Sequence, residues 1–141
     1  MSVNFFNEDI PFILKNKIKR KHWLKAIAAA HDSKIGELNF IFCSDEHLHK
    51  INLDYLDHDT YTDIITFDNS EVEKLIEGDI FISIDRVKEN SNTLNTIQEE
   101  EINRVISHGL FHLLGFKDKS ELETTLMREK EQLAIDLYNS I

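Results

Sequence analysis

The stretch Ser107-His108-Gly109-Leu110-Phe111-His112-Leu113-Leu114-Gly115-Phe116-Lys117-Asp118 decides how the rest of this 141-residue chain is read. His108 and His112 are spaced i, i+4. On a helix both imidazoles therefore project from one face about one turn apart, close enough for two nitrogens to grip one metal ion. Gly115 follows where a glycine in the left-handed conformation ends a helix and turns the chain back. Asp118, beyond that turn, offers an oxygen as a third ligand. Upstream, Ile102, Val105, Ile106, Gly109, Leu110 and Leu113 form one broad helical stripe, and the two histidines lie together along its border. A border gives a site one dry wall and an open mouth. The helix is expected to begin at Thr96 as N-cap, with Glu99 completing a capping box.

Such a helix needs a sheet on which to bury its stripe. Residues 3–6 suit an edge strand ahead of Pro11, and residues 37–43 a central one, with Leu38, Phe40 and Phe42 on one face and Ile41 and Cys43 on the other. Residues 64–67 and 79–84 read as two further strands that form a hairpin across a loop. Between them come a helix over 15–30 that buries Ile18, Trp23, Leu24, Ile27 and Ala28, a Ser44-capped helix to about Leu56, and a short helix over 85–92. Ser120 caps the last helix, where Leu122, Leu126, Leu133 and Leu137 mark the expected buried side and Met127 adds to the floor of the site. The expected fold class is α+β, a small mixed sheet of about four strands packed with helices, in a single domain over residues 1–141.

The net charge of -10 argues against a general nucleic-acid glue, which binds phosphate through Lys and Arg. The charge is uneven, however. Lys15, Lys17, Lys19, Arg20, Lys21 and Lys25 form a run without an acid in a chain of 16 basic and 26 acidic residues. The expected reading is a solvated helix face, with a phosphate-contacting patch as the alternative. Cys43 is the single cysteine, so an internal disulfide is excluded, and its apolar surroundings suit an inert thiol. No apolar stretch approaches the ~18–20 residues of a membrane span and the N-terminus has no targeting pattern, so a cytoplasmic protein without a membrane partner is expected.

Three protein ligands leave a fourth position open for chemistry, as in catalytic zinc sites. His58 stands in reserve as a further ligand, while His22, His31, His47 and His49 read as surface or rim residues. The pattern H-x-x-x-H-x-x-G-x-x-D is close to the metzincin zinc site, except that Gly109 replaces the Glu that serves as general base in H-E-x-x-H. Loss of such a group costs about 10² to 10⁴ in rate, so the chemistry leans to phosphodiesters over peptides.

The chain resembles the YbeY-type bacterial endoribonucleases, also described as rRNA maturation factors. Their signature H-G-x-L-H-L-x-G-Y-D-H is matched by His108 to Asp118. Asn52-Leu53-Asp54-Tyr55, Asp59 and Thr62-Asp63-Ile64-Ile65-Thr66-Phe67 resemble a second family segment, Gly78-Asp79-Ile80 a third, and Met127 falls where the family often has methionine. The resemblance implies a metzincin-like core and one zinc ion held by His108, His112 and Asp118, with Asp59, Thr62 and Asp63 lining the substrate cleft. It implies a metal-dependent single-strand endoribonuclease that processes the 3′ end of 16S rRNA and serves ribosome quality control, with rRNA and the small ribosomal subunit as partners. Two departures stand out. Asp118 replaces the third histidine and brings a negative charge to the metal, and Leu56 replaces an arginine expected to contact phosphate. The alternatives are a non-catalytic ribosome-associated zinc protein and a metallopeptidase.

Overall fold

The computed structural model describes residues 2–141. Among these the elements run β1 (Ser2–Asn7), α1 (Lys17–Ala30), β2 (Lys34–Cys43), α2 (Asp45–Leu56), β3 (Ile64–Asp68), β4 (Leu75–Ser83), α3 (Ile84–Thr93), α4 (Gln98–Leu113) and α5 (Glu121–Ser140). The strands form one mixed sheet in the order β1-β2-β4-β3, parallel except for the β3/β4 hairpin. This is the α+β arrangement that the sequence predicts.

Side chains alternate along β2, and the alternation divides the interior in two. Leu38, Phe40 and Phe42 enter the main core with Trp23 of α1, Ile80 and Ile82 of β4, and Ile106 and Leu110 of α4. Cys43 enters a smaller cluster with Leu48 and Ile51 of α2 and Ile65 of β3. With helices on both faces, β2 is apolar along most of its length. It begins earlier than expected, as does β4, because pairing resumes beyond an irregularity between Ile35 and Leu38. Burial, and then nearby acids, push the Cys43 thiol up to about 12, so it stays protonated and unreactive at neutral pH.

Three helical details differ from the sequence expectation, each because a polar side chain found a distant partner. On α1, Ile18 is exposed and Arg20 is buried. Arg20 donates from Nε to Asn103 Oδ1 at 2.9 Å and from Nη2 to Glu99 Oε1 at 3.1 Å, so it leaves the basic run for the interior. Lys15, Lys17 and Lys25 remain exposed. On α4, the expected cap at Thr96 does not form. The helix starts after Ile97 without a side-chain cap, and the Glu99 carboxylate is engaged by Arg20 instead. On α5, the Ser120/Glu123 capping box is present, but Leu122 is 82% exposed and Leu126 and Leu133 also face water. The buried side holds Met127, Glu131, Ala134, Ile135 and Tyr138, and Met127 packs in the main core rather than on the floor of the site. Among the described residues no helix is long and apolar enough to cross a membrane.

Candidate metal centre and cleft

Helix α4 lies directly on the sheet at Gly109. A Cβ there would stand 3.0 Å from Ile64 Cδ1 and 3.0 Å from both Ile80 Cδ1 and Ile80 Cγ2. This close approach seats the apolar stripe and leaves the histidine border facing outward beside β3. The helix then stops in a Schellman turn. Gly115 takes φ +103°, its N–H donates to the His112 carbonyl at 3.0 Å, and the Phe116 N–H donates to the Phe111 carbonyl at 3.0 Å. The turn sends the chain back past the histidines and delivers Asp118.

His108 Nε2 and His112 Nε2 stand 3.3 and 3.7 Å from Asp118 Oδ2. The three donor atoms all lie within 4.8 Å of one another. Ligands held about 2.0–2.1 Å from a tetrahedral zinc ion lie about 3.3 Å apart, so the observed spacing fits a single divalent ion. The opposite ring nitrogens support the same reading. His108 Nδ1 lies 2.6 Å from Glu131 Oε2, and His112 Nδ1 lies 3.0 Å from the Phe116 carbonyl oxygen. Both partners accept, so both Nδ1 atoms carry the proton and both Nε2 lone pairs are free for a metal.

Glu131 is 1% exposed and is held by two arginines. Arg104 Nη1 donates to its Oε1 at 3.3 Å and Arg128 Nη1 to the same atom at 2.8 Å. Burial pushes its carboxyl upward, but the hydrogen bond with His108 and then the charge and hydrogen bond of Arg128 more than reverse this and hold it below the ordinary glutamate range. Arg104 is tied a second time, to Glu101 through Nε at 2.8 Å and through Nη2. Burial opposes its charge, yet these carboxylates keep its pKa above the ordinary arginine value. A chain of charge-assisted contacts thus runs Glu101, Arg104, Glu131, His108. The sequence reading missed Glu131 and both arginines. The available signal was a carboxylate in register with Met127, Ala134, Ile135 and Tyr138, an interruption in an otherwise apolar helix face.

The three donors open into a cleft of about 790 Å³. Thr62 and Asp63 line it, as do Leu56 and His58. Asp59 is not among its lining residues. It is exposed and pairs with His49 Nε2 at 2.8 Å, while the His49 ring stacks on Tyr61 at 4.1 Å. His58 stays outside the three-residue donor group.

Residues 6–139 match the profile of the family described as Endoribonuclease YbeY. The chain belongs to the YbeY family. An Endoribonuclease YbeY of Cytophaga hutchinsonii is 52% identical over 136 residues, covering 96% of this chain and 95% of the relative. The Endoribonuclease YbeY of Christiangramia forsetii is 49% identical, over 97% of this chain and 94% of the relative. That of Flavobacterium johnsoniae is 46% identical, over 95% and 96%. A Thermotoga maritima protein solved in solution shares the fold, with a TM-score of 0.67 at 23% identity over 96% of this chain and 88% of its own. Against the YbeY signature, Asp118 for the third histidine still brings an oxygen donor to the shared point. Leu56 in place of the arginine is half exposed on the cleft wall.

Proposed function

We propose that this protein is a zinc-dependent, single-strand endoribonuclease of rRNA maturation. In this reading it acts on the 3′ end of 16S rRNA and in ribosome quality control, in the cytoplasm, with the small ribosomal subunit as its partner. The observation that carries the reading is the convergence of His108 Nε2, His112 Nε2 and Asp118 Oδ2 within 4.8 Å at a cleft open to a polymer. Membership in an endoribonuclease family supports it. When bound to these three atoms, zinc supplies Lewis acidity toward a phosphoryl oxygen and makes water a nucleophile near neutral pH.

The protein's own contributions follow from the contacts. Glu131 and the Phe116 carbonyl hold the two imidazoles in one tautomer and one orientation, so the site is set before substrate arrives. Thr62 and Asp63 line the same cleft as the histidines and are candidate substrate contacts. Peptidase chemistry finds no support at residue 109, where a metzincin needs its glutamate, because the sheet already meets a bare Cβ at 3.0 Å.

The test is His112→Ala. A chelator-sensitive cleavage of single-stranded RNA should fall at least about 10²-fold while the circular dichroism spectrum is retained. Cleavage that survives the substitution would defeat the assignment. In a host depleted of the protein, rRNA 3′ ends should be restored by the wild type and not by His112→Ala. Restoration by the variant would instead establish the non-catalytic, ribosome-associated reading.

A further inference from the structure

The two sides of the cleft differ in charge. The side built by α4, α5 and the turn between them carries Arg104, Lys119 and Arg128 beside the single carboxylate of Asp118. On the side built from α2 to β3, the charged side chains among the lining residues are Asp63 and Asp68, interspersed with Thr60, Thr62 and Thr66 and the imidazole of His58. A nucleic-acid strand is anionic along its backbone and neutral at its ribose and base edges. A strand in this cleft therefore has one favourable orientation, with its phosphates toward α5.

The three cations are not equivalent. Arg104 is 18% exposed, and its Nε, Nη1 and Nη2 are all committed to Glu101 and Glu131. Arg128 is 57% exposed and commits only Nη1, to Glu131 at 2.8 Å. The rest of its planar fork has no protein partner among the described residues. Lys119 is exposed beside Asp118 on the same side. Leu56, on the facing side, offers only apolar contact.

We infer that Arg128, assisted by Lys119, is the phosphate clamp of this chain. It holds the non-bridging oxygens of the phosphodiester that lies at His108, His112 and Asp118, while the threonine-rich wall receives ribose and base edges. This rests on the endoribonuclease reading and deepens it. Arginine suits the role because its fork matches phosphate geometry and stays charged. The Glu131 contact fixes one corner of that fork, so less side-chain freedom is lost when RNA binds. The cation thus enters from α5, across the cleft from the position where Leu56 offers none.

The experiment measures binding apart from cleavage. A fluorescent single-stranded RNA oligonucleotide is titrated with metal-stripped protein in chelator, with anisotropy as readout, at several salt concentrations. Arg128→Gln should weaken binding about tenfold and reduce the salt slope by about 0.7. Arg128→Lys should keep the slope with a smaller loss, and Lys88→Gln, at an exposed position of α3 outside the cleft lining, should bind as wild type. In the zinc-loaded enzyme Arg128→Gln should raise KM in the same proportion and keep its zinc. Wild-type affinity and slope in Arg128→Gln overturns the clamp. So does a variant that loses zinc yet binds the oligonucleotide normally, which makes Arg128 only a support for Glu131. A wild type that neither binds nor cuts the oligonucleotide overturns the endoribonuclease reading itself, and the wild-type measurement alone distinguishes that case.

Discussion

Helices α4 and α5 meet at the candidate metal site, and different contacts set the rotation of each. Along α4 the apolar stripe of Ile102, Val105, Ile106, Gly109, Leu110 and Leu113 seats the helix on the sheet, with Glu101, Asn103 and Ser107 buried beside it, and the two histidines stay at the edge of the stripe. Along α5 the inward side includes the carboxylate of Glu131, while Leu122, Leu126 and Leu133 face water. Each of these leucines forgoes about 1.5–3 kcal/mol of possible burial. The opposite side of α5 is nearly as apolar, through Met127, Ala134, Ile135 and Tyr138, so hydrophobic burial alone does not select the rotation. The polar contacts decide it. Turned the other way, the helix would take Glu131 from His108 and leave Arg104 short of a counterion. Breaking a buried ion pair typically costs about 3–5 kcal/mol. Shape fixes α4, and partnership fixes α5.

Substitutions on the two helices can break or sharpen this contrast. The largest effect is expected at Gly109→Glu, which adds a charged side chain where the sheet already touches a bare Cβ. It should cost about 4 kcal/mol or more in urea unfolding, or prevent folding. A Gly109→Glu variant that folds with wild-type stability would show that shape does not fix α4. Next comes Glu131→Gln, which keeps the volume and removes the charge. Stability should fall by about 3 kcal/mol and zinc affinity by about 10- to 100-fold, the latter measured by competition with a chromogenic chelator. Unchanged affinity would mean that Glu131 does not orient His108. The smallest effect is expected for Leu126→Ser and Leu133→Ser, each within about 0.5 kcal/mol of wild type. A loss of several kcal/mol there would place these leucines in a contact that the monomer does not contain.

The same contrast explains what the sequence disclosed. The His108, His112, Gly115 and Asp118 pattern was legible because all four act within two helical turns and one return, where spacing determines geometry. The β3/β4 hairpin was legible because β-branched content marks both strands locally, but the start of β4 at Leu75 was read as loop, since only its pairing with β2 makes those residues a strand. Arg20 was not, because its burial depends on Asn103 and Glu99, which arrive on another helix. Glu131 was hidden for the same reason. It is 23 positions from His108, and only the docking of α5 joins them. The cap at Thr96 failed because Glu99 had two possible partners and the guanidinium outcompeted the backbone N–H. Asp59 had a cleft position by motif, but the His49 ring drew it outward.

The return at Gly115 also fixes an order in time. The Phe116 carbonyl just beyond it steadies His112, and Asp118 follows almost at once, so all three donors belong to one short span of chain. Gathering donors from so short a span costs little loop entropy. All four strands and most of α4 precede that span, whereas the carboxylate that steadies His108 belongs to α5, the last helix. A chain grown from its N-terminus therefore contains the whole donor group before it contains the brace that stiffens it.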